Sequence, residues 1–213
     1  MRAKVTSGIL YFLEPKGRQH GPRRRQLPEV VEVMGITRTG RPRRRPLTPL
    51  AAVVNGVAAG VAGTVCMDAA RYLRYRHAGG TESPKEWEFA PVEGWEEAPD
   101  PGKVAKRLLE GFTQREIPDR WAWLTSTAMH WSYGSAWGAL YGIAAGSARR
   151  PNPLLGIPFG ATVWASAYLV LPQAGLYKPI WKYSPKTLAE DLSAHMAFGL
   201  AAGTCFWLTS RYC

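Results

Sequence analysis

The sequence predicts an all-α integral membrane protein: a four-helix bundle with glycine-zipper packing and a disordered basic N-terminal tail. Three observations carry that prediction. Four apolar stretches, about 47–70, 121–146, 154–175 and 187–209, are each long enough to cross the hydrocarbon layer at a rise of about 1.5 Å per residue. Each stretch carries glycines four apart: Gly56 and Gly60, then Gly134, Gly138, Gly142 and Gly146, then Gly156 and Gly160, then Gly199 and Gly203. In lipid little hydrophobic force draws helices together, so close backbone approach over small residues must hold them. The third observation is the placement of charge. The chain of 213 residues has a formal net charge of +11, concentrated before the first stretch. Its mean hydropathy of −0.19 is that of a soluble protein only because polar tails and one long loop dilute the spans.

The tail, residues 1–46, holds twelve Lys or Arg against Glu14, Glu29 and Glu32. Such an arm is read as nucleic-acid binding or as a topology signal. It lacks interleaved aromatics for base stacking, and it ends in Arg43, Arg44 and Arg45 directly before a span. The expectation is therefore contact with anionic lipid head groups and no nucleic-acid partner. Arg, Pro and Gly dominate residues 21–25 and 40–46, a composition that resists folding. Met34 is an alternative start to Met1. No small-x-small cleavage site follows the first apolar run, so that span is expected to remain as an anchor. Cys66, Cys205 and Cys213 are odd in number and far apart, which reads as small packing residues rather than a disulfide framework or zinc cage.

The membrane domain is expected over 47–210. Its first span is small and flexible, with Asp68 near its far end and Arg71, Arg74 and Arg76 beyond, placed to snorkel to head groups. An outer loop over 77–120 follows, with ten acidic residues against six Lys or Arg. Residues 82–99 read as irregular. Asp100-Pro101 reads as an N-cap and first-turn proline, opening a helix whose Val104, Leu108, Leu109 and Phe112 share one face. That helix is expected to lie on the membrane surface or to cap the bundle. The second span opens on Trp121 and Trp123, suited to an interfacial belt, and closes on Arg149 and Arg150. Pro158 in the third span and Pro172 at its end are positions where a membrane helix can kink. With four spans both termini share a side with Arg149 and Arg150, so the positive-inside rule places them in the cytoplasm, in a bacterial inner membrane.

Ionisable residues at mid-bilayer cost at least about 2.5 kcal/mol each, so those within the spans demand a reason. His130 and His195 lie nine and eight residues from the outer ends of their spans, both about 12 to 14 Å deep. Asp191 stacks one turn outward of His195, and Asp68 sits at similar height on the first span. Glu190 and Tyr133 are the supporting neighbours, with Trp164 or Tyr168 as a wall. A His/Asp chain in a wet cleft relays protons or ions. Two histidines with a carboxylate also suit a divalent metal, and haem is a weaker fit to the same pair. The structural alternative is that these groups hydrogen-bond one another and lock the helices together. Nucleophile elbows, phosphate-binding loops and His-Glu-x-x-His are absent, so the reading leans away from an enzyme.

His130-Trp131, Gly138, Gly142, the Leu171-Pro172 exit, Pro179-x-Trp181 and the Asp191/His195 pair together carry a resemblance. Over 130–199 the chain resembles the YagU-like family of uncharacterised bacterial inner-membrane proteins. The resemblance implies an integral inner-membrane protein with cytoplasmic termini, and brings no established reaction with it. Two functions follow: proton, ion or metal handling at Asp68, His130, Asp191 and His195, or a non-catalytic accessory subunit of a larger membrane complex. Expected partners are membrane lipids, and such a complex or further copies of this chain.

Overall fold

The structure, a computed structural model, describes residues 47–148 and 152–211. The basic tail with Arg43, Arg44 and Arg45, the turn residues Arg149 and Arg150, and Cys213 lie outside the described residues. Among those described, the chain is all-helical: α1 Pro49–His77, α2 Pro84–Glu88, α3 Asp100–Thr113, α4 Ala122–Gly146, α5 Gly156–Val170 and α6 Pro185–Thr209. Short 3-10 turns precede α4, α5 and α6. Among the described residues, only α1 and the segment Pro153–Val170 are both long and apolar enough to cross a membrane by length and composition. The other two long helices carry more polarity: Lys186, Glu190, Asp191 and His195 on α6, and His130 with several Ser, Thr and Tyr on α4.

Local chemistry explains most helix ends. Thr48 caps α1, its hydroxyl accepting from Ala51 N, and Pro49 follows at the first position. The helix runs seven residues past the predicted end near 70, because Arg71 and Arg74 are anchored on α6 while Tyr72 and Tyr75 pack on Trp87. Ser184 and Pro185 repeat the cap at α6, with Thr187 N as donor. In α3 the cap position is Pro99, so Asp100 is already helical and makes no side-chain cap bond; the helix begins one residue earlier than predicted. Pro158 falls in the first turn of α5, where backbone N–H groups lack helical partners, and Pro172 lies beyond its end. Neither proline lies in the interior of α5, and the third apolar stretch stops being α-helical at Val170, short of 175.

Residues 82–99, read as irregular, contain α2. Ser83 accepts from Glu86 N while the Glu86 carboxylate accepts from Ser83 N at 2.9 Å, closing a capping box around Pro84. Trp95 is buried, its indole N–H donating to Ile117 O at 2.7 Å.

The four long helices pack at their glycines. A Cβ placed on Gly56 would lie 2.5 Å from Gly138 O and 2.9 Å from Gly142 Cα, so α1 and α4 meet backbone to backbone. A Cβ on Gly199 would lie 2.8 Å from Gly160 Cα, and one on Gly203 would lie 2.5 Å from Pro153 O, so α5 and α6 do the same. Two apolar clusters fill the remaining space: Ala59, Tyr141, Ala145, Ala202 and Phe206 at one end, and Met67, Val163, Ala194 and Phe198 nearer the other. The second end, which carries the long connection, is the loop end. There α3 lies on α4 through Gly102, whose hydrogen faces Ser126. Of the apolar face predicted for α3, Val104 turns inward to line a cavity while Leu108, Leu109 and Phe112 are exposed, and the buried residues of the helix are Gly102 and Ala105.

Candidate functional site

All four candidate ionisable residues lie toward the loop end, and the structure sorts them into two groups. In the first, His130 Nε2 donates to Asp68 Oδ2 at 2.9 Å, joining α4 to α1. Asp68 is 8% exposed, so its charge has little water to support it. The third member is Glu88, at the end of α2. One ligand atom from each of Asp68, Glu88 and His130 lies within 4.8 Å of the others. Burial, then the Asp68 carboxylate, raises the Glu88 carboxyl above its ordinary range, with His130 and Arg71 pulling the other way.

The second group centres on Asp191. Its Oδ1 accepts from Arg71 Nη2 at 3.3 Å, and its Oδ2 accepts from the Tyr168 hydroxyl at 3.2 Å. Three helices, α1, α5 and α6, therefore converge on one carboxylate. His195 is bound differently from the sequence expectation. Its Nδ1 lies 2.9 Å from the Asp191 backbone oxygen and 3.5 Å from the carboxylate Oδ1. A carbonyl can only accept, so Nδ1 carries the hydrogen, and in the neutral ring Nε2 keeps its lone pair.

A cavity of about 230 Å³ connects the groups, with His130, His195, Asp191 and Arg71 in an otherwise largely apolar lining that includes Met67, Val163 and Phe198. A more open vestibule of about 330 Å³ lies alongside, bounded by Arg74, Tyr168, Tyr183 and Glu190. Arg71, Asp100, Tyr177 and Asp191 line both spaces, so they form the wall between vestibule and cavity. Burial, then the neighbouring Asp100, pushes the Tyr177 hydroxyl above the usual phenol range, so it stays a neutral donor at this wall.

The two histidines share the cavity but bond different partners. Tyr133 lines the cavity and stands edge-on to Trp137 at 6.2 Å. Glu190 contributes chiefly its backbone oxygen, which accepts from Arg74 Nη1 at 2.7 Å. Arg71 and Arg74, expected to reach for head groups, turn back onto α6, because Asp191, Glu190 O and Ser193 offer closer acceptors. Sequence reading missed Glu88 and the Arg71–Asp191 pair. The Ser83-Pro84-x-Glu86 capping signal was legible and would have placed Glu88 at a helix end; nothing in the sequence aims that helix at Asp68. Cys66 and Cys205 are free thiols.

No protein-family model, curated protein or solved structure matches this chain.

Proposed function

We propose that this chain is a small integral protein of a bacterial inner membrane, with four spans and cytoplasmic termini, that handles protons or ions through its intramembrane His/Asp groups. The observation that carries the reading is the position of Asp191. It stands at the wall shared by an open vestibule and an inner cavity, with His195 one turn deeper in the same helix. The His195 nitrogen that faces Asp191 already carries its hydrogen. A proton reaching Asp191 from the vestibule would therefore pass through water in the inner cavity to the Nε2 lone pair, while Arg71 and Tyr168 hold the carboxylate in place. Outward-facing apolar side chains support membrane residence: Val54, Val57, Val61 and Val65 along α1, with Leu140, Ile143, Leu169 and Leu200 on the other helices, are exposed. The glycine-to-glycine crossings support zipper packing in lipid. The YagU-like resemblance belongs to the same proposal.

The test is proton flux. Purified protein in liposomes loaded with a pH-sensitive dye should equilibrate an imposed pH step faster than empty liposomes. Asp191→Asn should remove at least about nine-tenths of the difference, since an amide cannot carry the proton. Flux no greater than that of empty liposomes would end the proton reading.

Orientation is tested separately. Single cysteines placed in 89–99 should react with impermeant maleimide from the outer face, and one at 149 only from inside. The opposite pattern would invert the topology and turn the vestibule toward the cytoplasm.

A second reading, an accessory subunit of a larger membrane complex, is favoured by one observation. Phe112 is 85% exposed with the exposed Leu108 one turn away on α3, and Trp181, in the connection before α6, is 79% exposed. A stoichiometric subunit that co-purifies through wild type and is lost from Phe112→Glu would support it.

A further inference from the structure

We propose that Asp68, Glu88 and His130 form a binding site for a first-row divalent cation. This site is separate from the Asp191 and His195 pair, and it does not rest on proton movement.

The site is built from three elements. Asp68, Tyr72 and Tyr75 are spaced four and three apart on α1, so they share one helical face. α2 lies on that face with Trp87 against both tyrosines, ring centroids 5.6 Å from Tyr72 and 6.2 Å from Tyr75. The capping box fixes the turn that starts α2, and the Tyr72 hydroxyl donates to Glu82 O at 2.9 Å just before it. With Trp87 docked on the tyrosines, the next residue, Glu88, meets Asp68. α4 supplies His130 from the other side, its Nε2 already 2.9 Å from Asp68 Oδ2.

The donor set carries the assignment. Two carboxylates and one imidazole present one ligand atom each within 4.8 Å of one another. Around a tetrahedral cation with bonds of about 2.0 to 2.2 Å, ligand atoms sit roughly 3.4 Å apart. Small side-chain rotations close that difference. Two carboxylates facing one imidazole hold at least as much negative as positive charge, and a dication between them replaces repulsion with attraction. One nitrogen and two oxygens, without thiolate, suit zinc or manganese rather than copper(I). Calcium prefers six to eight oxygens, and magnesium near-ideal oxygen octahedra. On binding, coordination replaces the bond from Nε2 to Asp68: a neutral ring moves that hydrogen to Nδ1, and only a ring that was protonated on both nitrogens would release a proton. A fourth position stays open to water. The cation would tie α1, α2 and α4 together and pin Trp87 over the end of the bundle.

The experiment uses the full chain in mild detergent, stripped with chelator and titrated with zinc sulfate in a calorimeter. Wild type should take one Zn²⁺ per chain, with magnesium giving no comparable heat. Glu88→Gln should weaken binding at least about 10-fold, the lower end of what loss of even an outer-shell partner costs. That residue lies on a short surface helix, so the variant should keep the wild-type melting temperature in the absence of zinc. His130→Ala should lose binding altogether. His195→Gln and Glu190→Gln should bind zinc as wild type does. Wild-type affinity in Glu88→Gln, or zinc loss that follows His195→Gln instead, would overturn the site. Because Glu88→Gln leaves Asp191 and His195 intact, proton flux in that variant separates failure of this site from failure of the proton reading.

Discussion

Gly138→Ile should abolish the folded bundle. A Cβ at that position meets Gly56 O and the Gly60 backbone, and no side chain lies between that can rotate away. Overpacking a core normally costs about 1 to 3 kcal/mol because flexible neighbours absorb part of it. Here the whole of α1 must move, which separates Gly56 and Gly60 from α4 along the crossing. Gly142→Ile should behave alike, since its Cβ would lie 2.7 Å from Gly56 Cα and also meet Ala52 O. Gly111 is the control: nothing lies within 4 Å of a Cβ there, so Gly111→Ala should be neutral or gain a little from helix propensity. The readout is the monodisperse fraction in detergent and the melting temperature. If Gly138→Ile purifies and melts like wild type, α1 and α4 do not cross at these glycines.

What the sequence made legible follows from how local each signal is. The four long helices were readable as apolar-rich stretches, although among the described residues only α1 and Pro153–Val170 are long and apolar enough to span. The crossing points were readable from glycines four apart, because both signals depend on a single helix at a time. Helix starts were placed within one or two residues: the apolar stretches were begun at 47 and 187, whereas the Thr48-Pro49 and Ser184-Pro185 caps start the helices at 49 and 185, and Asp100-Pro101 was misplaced by one residue. The extension of α1 to His77 was not readable, since it depends on Arg71 finding Asp191, 120 residues away. The same holds for the candidate site. Equal depth along two spans brought His130 and His195 to one cavity on paper, because depth is fixed by rise per residue. Rotation about the helix axis is fixed by packing, and packing gave Asp68 to His130 and Arg71 to Asp191. Glu88 escaped notice for a third reason: α2 has five residues, too few for any periodic pattern to register.

The second large effect is expected at Asp191, and it distinguishes the pairing seen in the structure from the one the sequence led us to expect. Spacing of four makes Asp191 and His195 a natural unit, so removing both should leave nothing stranded. In the structure the carboxylate serves Arg71 and Tyr168, whereas His195 Nδ1 leans on the backbone oxygen, which survives any substitution. Asp191→Leu should therefore lower stability by about 1 to 3 kcal/mol, the cost of leaving polar partners unsatisfied in a half-buried site. Adding His195→Leu should recover little of that. Adding Arg71→Met instead should recover most of it, since the guanidinium left behind is what makes the single variant costly. In cycles read from unfolding in detergent, positions 71 and 191 should couple by more than about 0.5 kcal/mol. Positions 195 and 191 should add within about 0.3 to 0.5 kcal/mol. Strong coupling of 195 with 191, and additivity of 71 with 191, would mean that the imidazole and not the guanidinium is the true partner of this carboxylate. The Arg71→Met and Asp191→Leu pair also isolates the chemistry. If it is as stable as wild type yet moves no protons in liposomes, the carboxylate acts in transfer and not merely in holding three helices together.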